Sequence, residues 1–192
     1  WSSDVCSSDL EVLEALQTRR SIRQFDQCYT IPKDELHKIV DLALLSPTAL
    51  NKQGIDLVVV SNREKIDEAT DITLNSYDVG MKNNFNERKK DLGVKNVLTC
   101  DASCVIFLVA NERADANFIN IDAGIMCMSI MTAARHYNYQ TLCLGSLLWG
   151  DKNGLEKSLG IEKDKLVMAV AIGKPIEGVK LNDKEQLCNA RD

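Results

Sequence analysis

No CxxC pair occurs among the seven cysteines (6, 28, 100, 104, 127, 143 and 188), and His37 and His136 are the only two histidines. A zinc or iron–sulfur centre needs clustered soft ligands, so neither is expected. No stretch reaches the roughly 20 apolar residues needed to cross a bilayer. The first residues lack the basic-then-apolar layout of a targeting peptide. Positive charge is not in excess either: the net charge is -5 and the pI is about 5.2. General affinity for nucleic acid or anionic membrane is therefore excluded. There are no repeats, linkers or low-complexity tracts, and no convincing nucleophile–base–acid triad. The odd cysteine count fits free thiols in a reducing compartment, so a cytoplasmic protein without nucleic-acid or membrane partners is expected.

What is present is enough apolar material for one domain. The chain has 192 residues, of which 45% are hydrophobic, sufficient for a single core. Residues 1–10, with their SSDV/SSDL near-duplication, read as a disordered or artefactual leader, and residues 11–192 as one domain. Ser8 and Glu11 nevertheless have the spacing of a capping box for a helix that follows. That short helix, bearing Leu13 and Leu16, ends in a basic cluster. Pro32 opens a second helix running to about Ser46, where Pro47 stops it. A polar loop over 48–54 leads to a strand over 55–61, then a helix around 65–75. Residues 76–99 are lysine-rich and read as a helix or mobile surface segment. The run ASCVIFLVA over 102–110 is the strongest buried strand. An apolar helix spans about 118–137, with small and large residues on most faces. A strand or strand-to-loop segment covers 141–148, a short helix at 153–159 closes on Gly160, and a last strand covers 166–173. Helices and strands alternate, which points to an α/β or α+β domain.

Two groups of residues stand out for chemistry. Arg19, Arg20, Ser21 and Arg23 supply three guanidiniums and a hydroxyl directly after a helix. Guanidiniums make bidentate, charge-assisted bonds to phosphate oxygens; the same cluster also reads as a solvated face. The loop Ser46-Pro47-Thr48-Ala49-Leu50-Asn51-Lys52-Gln53 presents paired amide donors and acceptors suited to a heteroaromatic edge, or simply serves the turn.

The order of these motifs resembles the FMN-dependent nitroreductase family. Arg19-Arg20-Ser21-x-Arg23-x-Phe25 is followed by Ser46-Pro47-Thr48-x-x-Asn51-x-Gln53. Then come Phe85-Asn86-Glu87-Arg88-Lys89, and the helix Asp122-Ala123-Gly124 through Ala134. Last are Asn138-Tyr139-Gln140-Thr141, Leu144-Gly145 and Ile172-Gly173-Lys174-Pro175. The resemblance covers about residues 10–175. It implies an α+β fold of three layers (α/β/α), with a mixed, mainly antiparallel central sheet flanked by helices. It also implies a long central helix at the interface of a homodimer, with FMN bound between subunits. Carried over, it implies that Arg19, Arg20, Ser21 and Arg23 hold the phosphate, ribityl chain and pyrimidine edge. Ser46, Pro47, Thr48, Asn51 and Gln53 would come from the partner subunit, and Asn86 would meet the ring's polar edge. The Leu144–Gly145 backbone would approach flavin N5, and Lys174 is the C-terminal basic candidate for the phosphate, with Lys180 and Lys184 also available.

The implied activity is ping-pong reduction by NADH or NADPH of a nitroaromatic, quinone or similar conjugated small-molecule acceptor. The chemistry takes place at the flavin, with no catalytic side chain. A flavin-storage protein without efficient turnover, or a flavin enzyme of other chemistry such as reductive dehalogenation, is the alternative. This chain departs from the family pattern at Gly54, where many members have proline, and at Asn138, which replaces a turn glycine but tolerates the left-handed conformation. The short link between the strand at 102–110 and the central helix implies an open site, or one lidded by residues 76–99. Trp149, Tyr137, Tyr139 and Cys143 read as packing residues, His136 as a helix-terminal charge, and Lys89-Lys90 as solvent-facing.

Overall fold

The computed structural model describes residues 14–179. The leader at 1–10, its capping box, and Lys180 and Lys184 lie outside the described residues. Residues 14–18 are helical, and the chain then runs extended through the arginine cluster. Helix α1, Lys33–Leu44, starts one residue later than the sequence suggests. Pro32 is its N-cap, and the Pro32 carbonyl accepts from Leu36 N at 3.0 Å. A 3₁₀ turn, Ala49–Asn51, leads to strand β1, Ile55–Val60. Helix α2, Arg63–Ser76, is capped by the Asn62 side chain, which accepts from Lys65 N. The polar stretch that followed without a clear assignment is helix α3, Val79–Leu92, capped by Asp78 and ended by Gly93 at φ 67°. Asp78 satisfies a free N–H, and a glycine carries the left-handed residue that closes the helix at little cost.

Strand β2, Cys104–Ala110, begins two residues inside the expected run. Cys100 and Asp101 sit at φ 56° and 65°, so the chain is still turning there. Helix α4, Ile119–His136, is the long central helix. Asn138 follows at φ 61°, making the turn that asparagine tolerates. Strand β3 is only Gln140–Cys143, and the rest of the apolar run becomes a 3₁₀ turn, Gly145–Leu148. Helix α5, Lys152–Leu159, closes on Gly160 at φ 69°, and strand β4 is Leu166–Gly173.

The four strands form one sheet in the order β1-β2-β4-β3, with every neighbouring pair antiparallel. The mixed character expected from the family resemblance is reduced to one parallel bridge, from Ser21 to Thr141 on the outer side of β3. Side chains alternate across the pleat. Cys104, Ile106 and Leu108 of β2 enter one core with Leu36 and Ile39 of α1 and Met126 and Ile130 of α4. Val105 and Phe107 enter the other with Ile66 of α2 and Leu155 of α5. A strand covered on both faces reads as a continuous apolar run, which is why 104–108 was so legible. The result is three layers, α/β/α.

Gly54 has a packing reason. A Cβ there would lie 2.6 Å from the Ala114 Cα, and the Gly54 carbonyl accepts from Asn111 N at 3.0 Å. The loop after β2 therefore lies directly against the entry to β1. Trp149 is not core: it is 67% exposed at the end of the 3₁₀ turn. Its neighbour Gly150 is pressed against Thr73 and Ser76 of α2, which leaves the indole outside. Among the described residues no helix is long and apolar enough to cross a membrane, and no group of three or more His, Cys, Asp or Glu could hold a metal ion.

Candidate functional site

The arginine cluster lies along the free edge of β3. The bridge from Ser21 to Thr141, and the hydrogen bond from Ile22 N to the Thr141 carbonyl at 3.2 Å, fix its position. Ile22 and Phe25 are buried at 2% and 3%, while Ser21 and Arg23 face solvent. The inward pair thus anchors the segment and leaves its polar residues outside. Arg20 turns back to the Gln17 and Arg19 carbonyls at 2.9 and 3.0 Å. Among the described residues, no carboxylate forms an ion pair with Arg19 or Arg23. Two guanidiniums are therefore available for an external anion.

Beside the cluster, Leu144 is buried and its N–H donates to the Ala169 carbonyl at 2.9 Å. The next residue is open: a Cβ added to Gly145 would meet nothing within 4 Å. A flat ligand can approach this backbone. Donor set and open backbone together fit a phosphate-bearing planar group.

The loop Ser46 to Gln53 lies elsewhere. It ties α1 to β1, the opposite edge of the sheet from β3. With β2 and β4 between, the two edges stand about 14 Å apart at ordinary strand spacing. Ser46 is buried, its Oγ donating to the Ala43 carbonyl and pairing with Ser129 Oγ at 2.7 Å. Thr48 Oγ1 accepts from Gln53 N at 2.9 Å, and Ala49 N donates to the buried Asp122 carboxylate at 3.0 Å. Ser46 and Thr48 therefore shape the loop. Pro47, Asn51 and Gln53 are exposed, with Asn51 and Gln53 at φ 52° and 50°. One chain does not bring this loop to its own arginine cluster.

Asn86 stands exposed on α3. Burial pushes the Cys100 thiol up to about 11, and the nearby Arg88 and Arg23 guanidiniums moderate that rise. Arg88, next but one to Asn86, thus shares its surroundings with Arg23. Lys174 is exposed, and its ammonium lies 5.0 Å over the Tyr29 ring.

A groove of about 300 Å³ opens between α4 and the β3–β4 edge, lined by Ala123, Gly124, Cys127, Met131, Cys143 and Met168 among others. The Cys127 thiol donates towards Cys143, which together with Arg19 holds the Cys143 thiol at about 7 against the opposing effect of burial. The Cys127 thiol is raised, by its interaction with Cys143 and then by burial. No spacing rule in the sequence pairs residues 127 and 143; only helix-on-sheet packing does.

The edge-bound arginines, open glycine and three-layer fold meet an independent finding: the model of the nitroreductase family matches residues 16–174. The chain belongs to the nitroreductase family. Among its relatives is a Bacillus subtilis protein provisionally named NAD(P)H nitroreductase YdgI, 25% identical and covering 85% of this chain and 88% of the relative. A Lactiplantibacillus plantarum enone reductase of CLA biosynthesis is also 25% identical, covering 92% of this chain and 93% of its own. A nitroreductase of Desulfitobacterium hafniense, solved with bound FMN, superposes with a TM-score of 0.78 at 22% identity, covering 95% of this chain and 98% of that one. The FMN-dependent nitroreductase NfnB of Mycobacterium smegmatis, solved with NADPH, gives 0.70 at 19% identity, covering 96% and 100%. The nitroreductase fold is thus shared along nearly the whole chain.

Proposed function

We propose that this nitroreductase-family protein binds FMN and works as an NAD(P)H-dependent oxidoreductase. In this reading it is a homodimer with each flavin site built from two chains. The observation that carries the reading is the arginine cluster on the β3 edge beside the open Gly145 backbone. Arg19 and Arg23 would hold the phosphate and pyrimidine edge, with Arg20 and Ser21 supporting the ribityl chain. The Leu144–Gly145 backbone would support one face of the ring system. Bound FMN supplies hydride acceptance and two-electron storage.

The remaining half of the site belongs to the opposite edge, so a second copy is needed to deliver Ser46, Pro47, Thr48, Asn51 and Gln53. Exposed apolar residues around that loop support a partner: Leu45 is 78% exposed, Leu50 82% and Ile121 59%. Such residues clustered at a surface mark an interface. Asn86 on α3 would approach the polar edge beside Arg88. For Lys174 to reach the phosphate, its ammonium has to leave the Tyr29 face. No side-chain acid or base is required, and donor and acceptor would use the same space in turn. The acceptor class is a conjugated electrophile such as a nitroaromatic, a quinone or an enone, consistent with the names of the relatives.

The test is spectroscopic. The purified protein, reconstituted with FMN, should absorb between 350 and 500 nm, bleach on anaerobic addition of NADH or NADPH, and recover its colour when an acceptor is added. A protein that takes up no FMN overturns the proposal. One that binds FMN but never bleaches is a flavin-storage protein.

A further inference from the structure

Helix α3 carries Asn86 yet has no fully buried residue, so a few contacts decide where it stands. At its C-terminal end the side-chain amide of Gln24, next to Arg23, donates to the Leu92 carbonyl at 3.0 Å. At its N-terminal end the fastening is aromatic. Tyr77 lies in the corner between α2 and α3 and is 6% exposed. Its ring stacks on Phe85, the residue before Asn86, with centroids 5.4 Å apart and planes 17° from parallel.

The other end of the same side chain reaches the 3₁₀ turn. The Tyr77 hydroxyl donates to the carbonyl of Ser146, the residue after Gly145. That carbonyl also accepts from Trp149 N at 3.1 Å, which closes the turn. Ser76 Oγ accepts from Asp151 N at 2.7 Å, so the corner grips the chain beyond the turn as well. We propose that Tyr77 is a positioning residue for flavin reduction, holding the Gly145 turn and Asn86 of α3 in one register against the ring system. The inference rests on the FMN reading above.

Tyr77 acts here through its neighbours. The hydroxyl fixes the turn, and the ring fixes α3. Burial raises the hydroxyl above its ordinary value, so it remains a donor throughout the neutral range. Reacting groups must be aligned for transfer, and a misplacement of about 1 Å can cost about 100-fold in rate. The phosphate grip of Arg19 and Arg23 belongs to a different segment, on the β3 edge. Rate and affinity should therefore respond differently to changes at Tyr77.

The test compares full-length wild-type, Tyr77→Phe and Tyr77→Leu chains, each reconstituted with FMN. Phenylalanine keeps the ring stack and removes the hydroxyl bond; leucine removes both. In Tyr77→Phe the limiting rate of anaerobic bleaching by NADH or NADPH should fall about tenfold, with the half-saturating nucleotide concentration and the FMN dissociation constant within about twofold of wild type. In the apoprotein of this variant, amide hydrogen exchange at Leu147 and Trp149 should quicken about tenfold. In Tyr77→Leu the FMN dissociation constant, read by fluorescence, should also rise about tenfold as Asn86 loses its place. A tyrosine that merely stabilises the fold would lower the urea midpoint but leave the bleaching rate of the loaded Tyr77→Phe protein at the wild-type value, and that result overturns the proposal. A wild-type chain that takes up no FMN, or takes it up and never bleaches, overturns the reading beneath it as well. Should Tyr77→Leu fail to fold by circular dichroism, Tyr77→Phe alone decides.

Discussion

Arg23 stands in solvent because its neighbours Ile22 and Phe25 take the inward positions. Its value to a ligand lies in its charge and fork geometry, since a hydrogen bond to a charged group contributes about 1.5–3 kcal/mol. Arg23→Ala should therefore weaken FMN retention by roughly 10- to 100-fold without altering the thermal midpoint of the apoprotein; fluorescence titration measures it. Unchanged affinity would remove Arg23 from the site. Cys143 allows a pH-dependent prediction. Its thiol is held below the ordinary value by Cys127 and Arg19, at about 7. The thiolate therefore dominates above that pH. The iodoacetamide reaction rate at Cys143 should rise to half its plateau near pH 7, whereas Cys100, at about 11, stays unreactive across the neutral range in the folded protein. Gly54 is constrained by contact, with Ala114 backbone 2.6 Å from where a Cβ would stand. Gly54→Ala should cost about 1–3 kcal/mol as overpacking, read as a lower urea midpoint.

Helix α5 shows how an element is fastened by one buried carboxylate. Glu156 is 1% exposed and accepts from Asp164 N at 2.9 Å and Leu166 N at 2.8 Å, with Lys152 3.8 Å away. It thereby ties α5 to the start of β4. Glu156→Ala leaves two backbone donors without their partner, at about 1–3 kcal/mol each where buried. The expected loss is about 2–4 kcal/mol in chemical denaturation; a loss under 1 kcal/mol would mean water replaces the carboxylate. Asp101 acts similarly in the turn before β2, accepting from Lys95 N and Asn96 N. Neither role shows in the sequence, because a carboxylate that serves distant backbone has no periodic signature. The caps on α3 and α5 are the opposite case. Asp78, Gly93 and Gly160 act on their own helices, and local spacing is enough to read Gly160.

For the whole molecule, the decisive feature is that the two halves of the proposed site sit on opposite sheet edges. A site split in this way requires association. Ile121 is 59% exposed on α4, close to the Asp122 that holds the 46–53 loop. Ile121→Glu would place a charge on the proposed interface. Sedimentation velocity should show the dimer shifted to monomer, with FMN occupancy falling in parallel. A variant that stays dimeric and yellow would move the interface elsewhere.

Sequence reasoning alone yielded the elements set by local physics: the doubly buried β2 run, the apolar α4, the Gly160 closure and the Asn138 turn. It also yielded the family, because Arg19 to Arg23, Ser46 to Gln53 and Leu144–Gly145 keep their order along the chain. It placed Trp149 in the core, and there local apolarity misled, since the packing of Gly150 on α2 turns the indole outward. Only tertiary structure decided three things: strand order, the separation of the arginine cluster from the 46–53 loop, and the meeting of Cys127 with Cys143. Each depends on which surfaces the helices and sheet bury against one another, and non-local packing of that kind leaves no spacing in a linear chain to read.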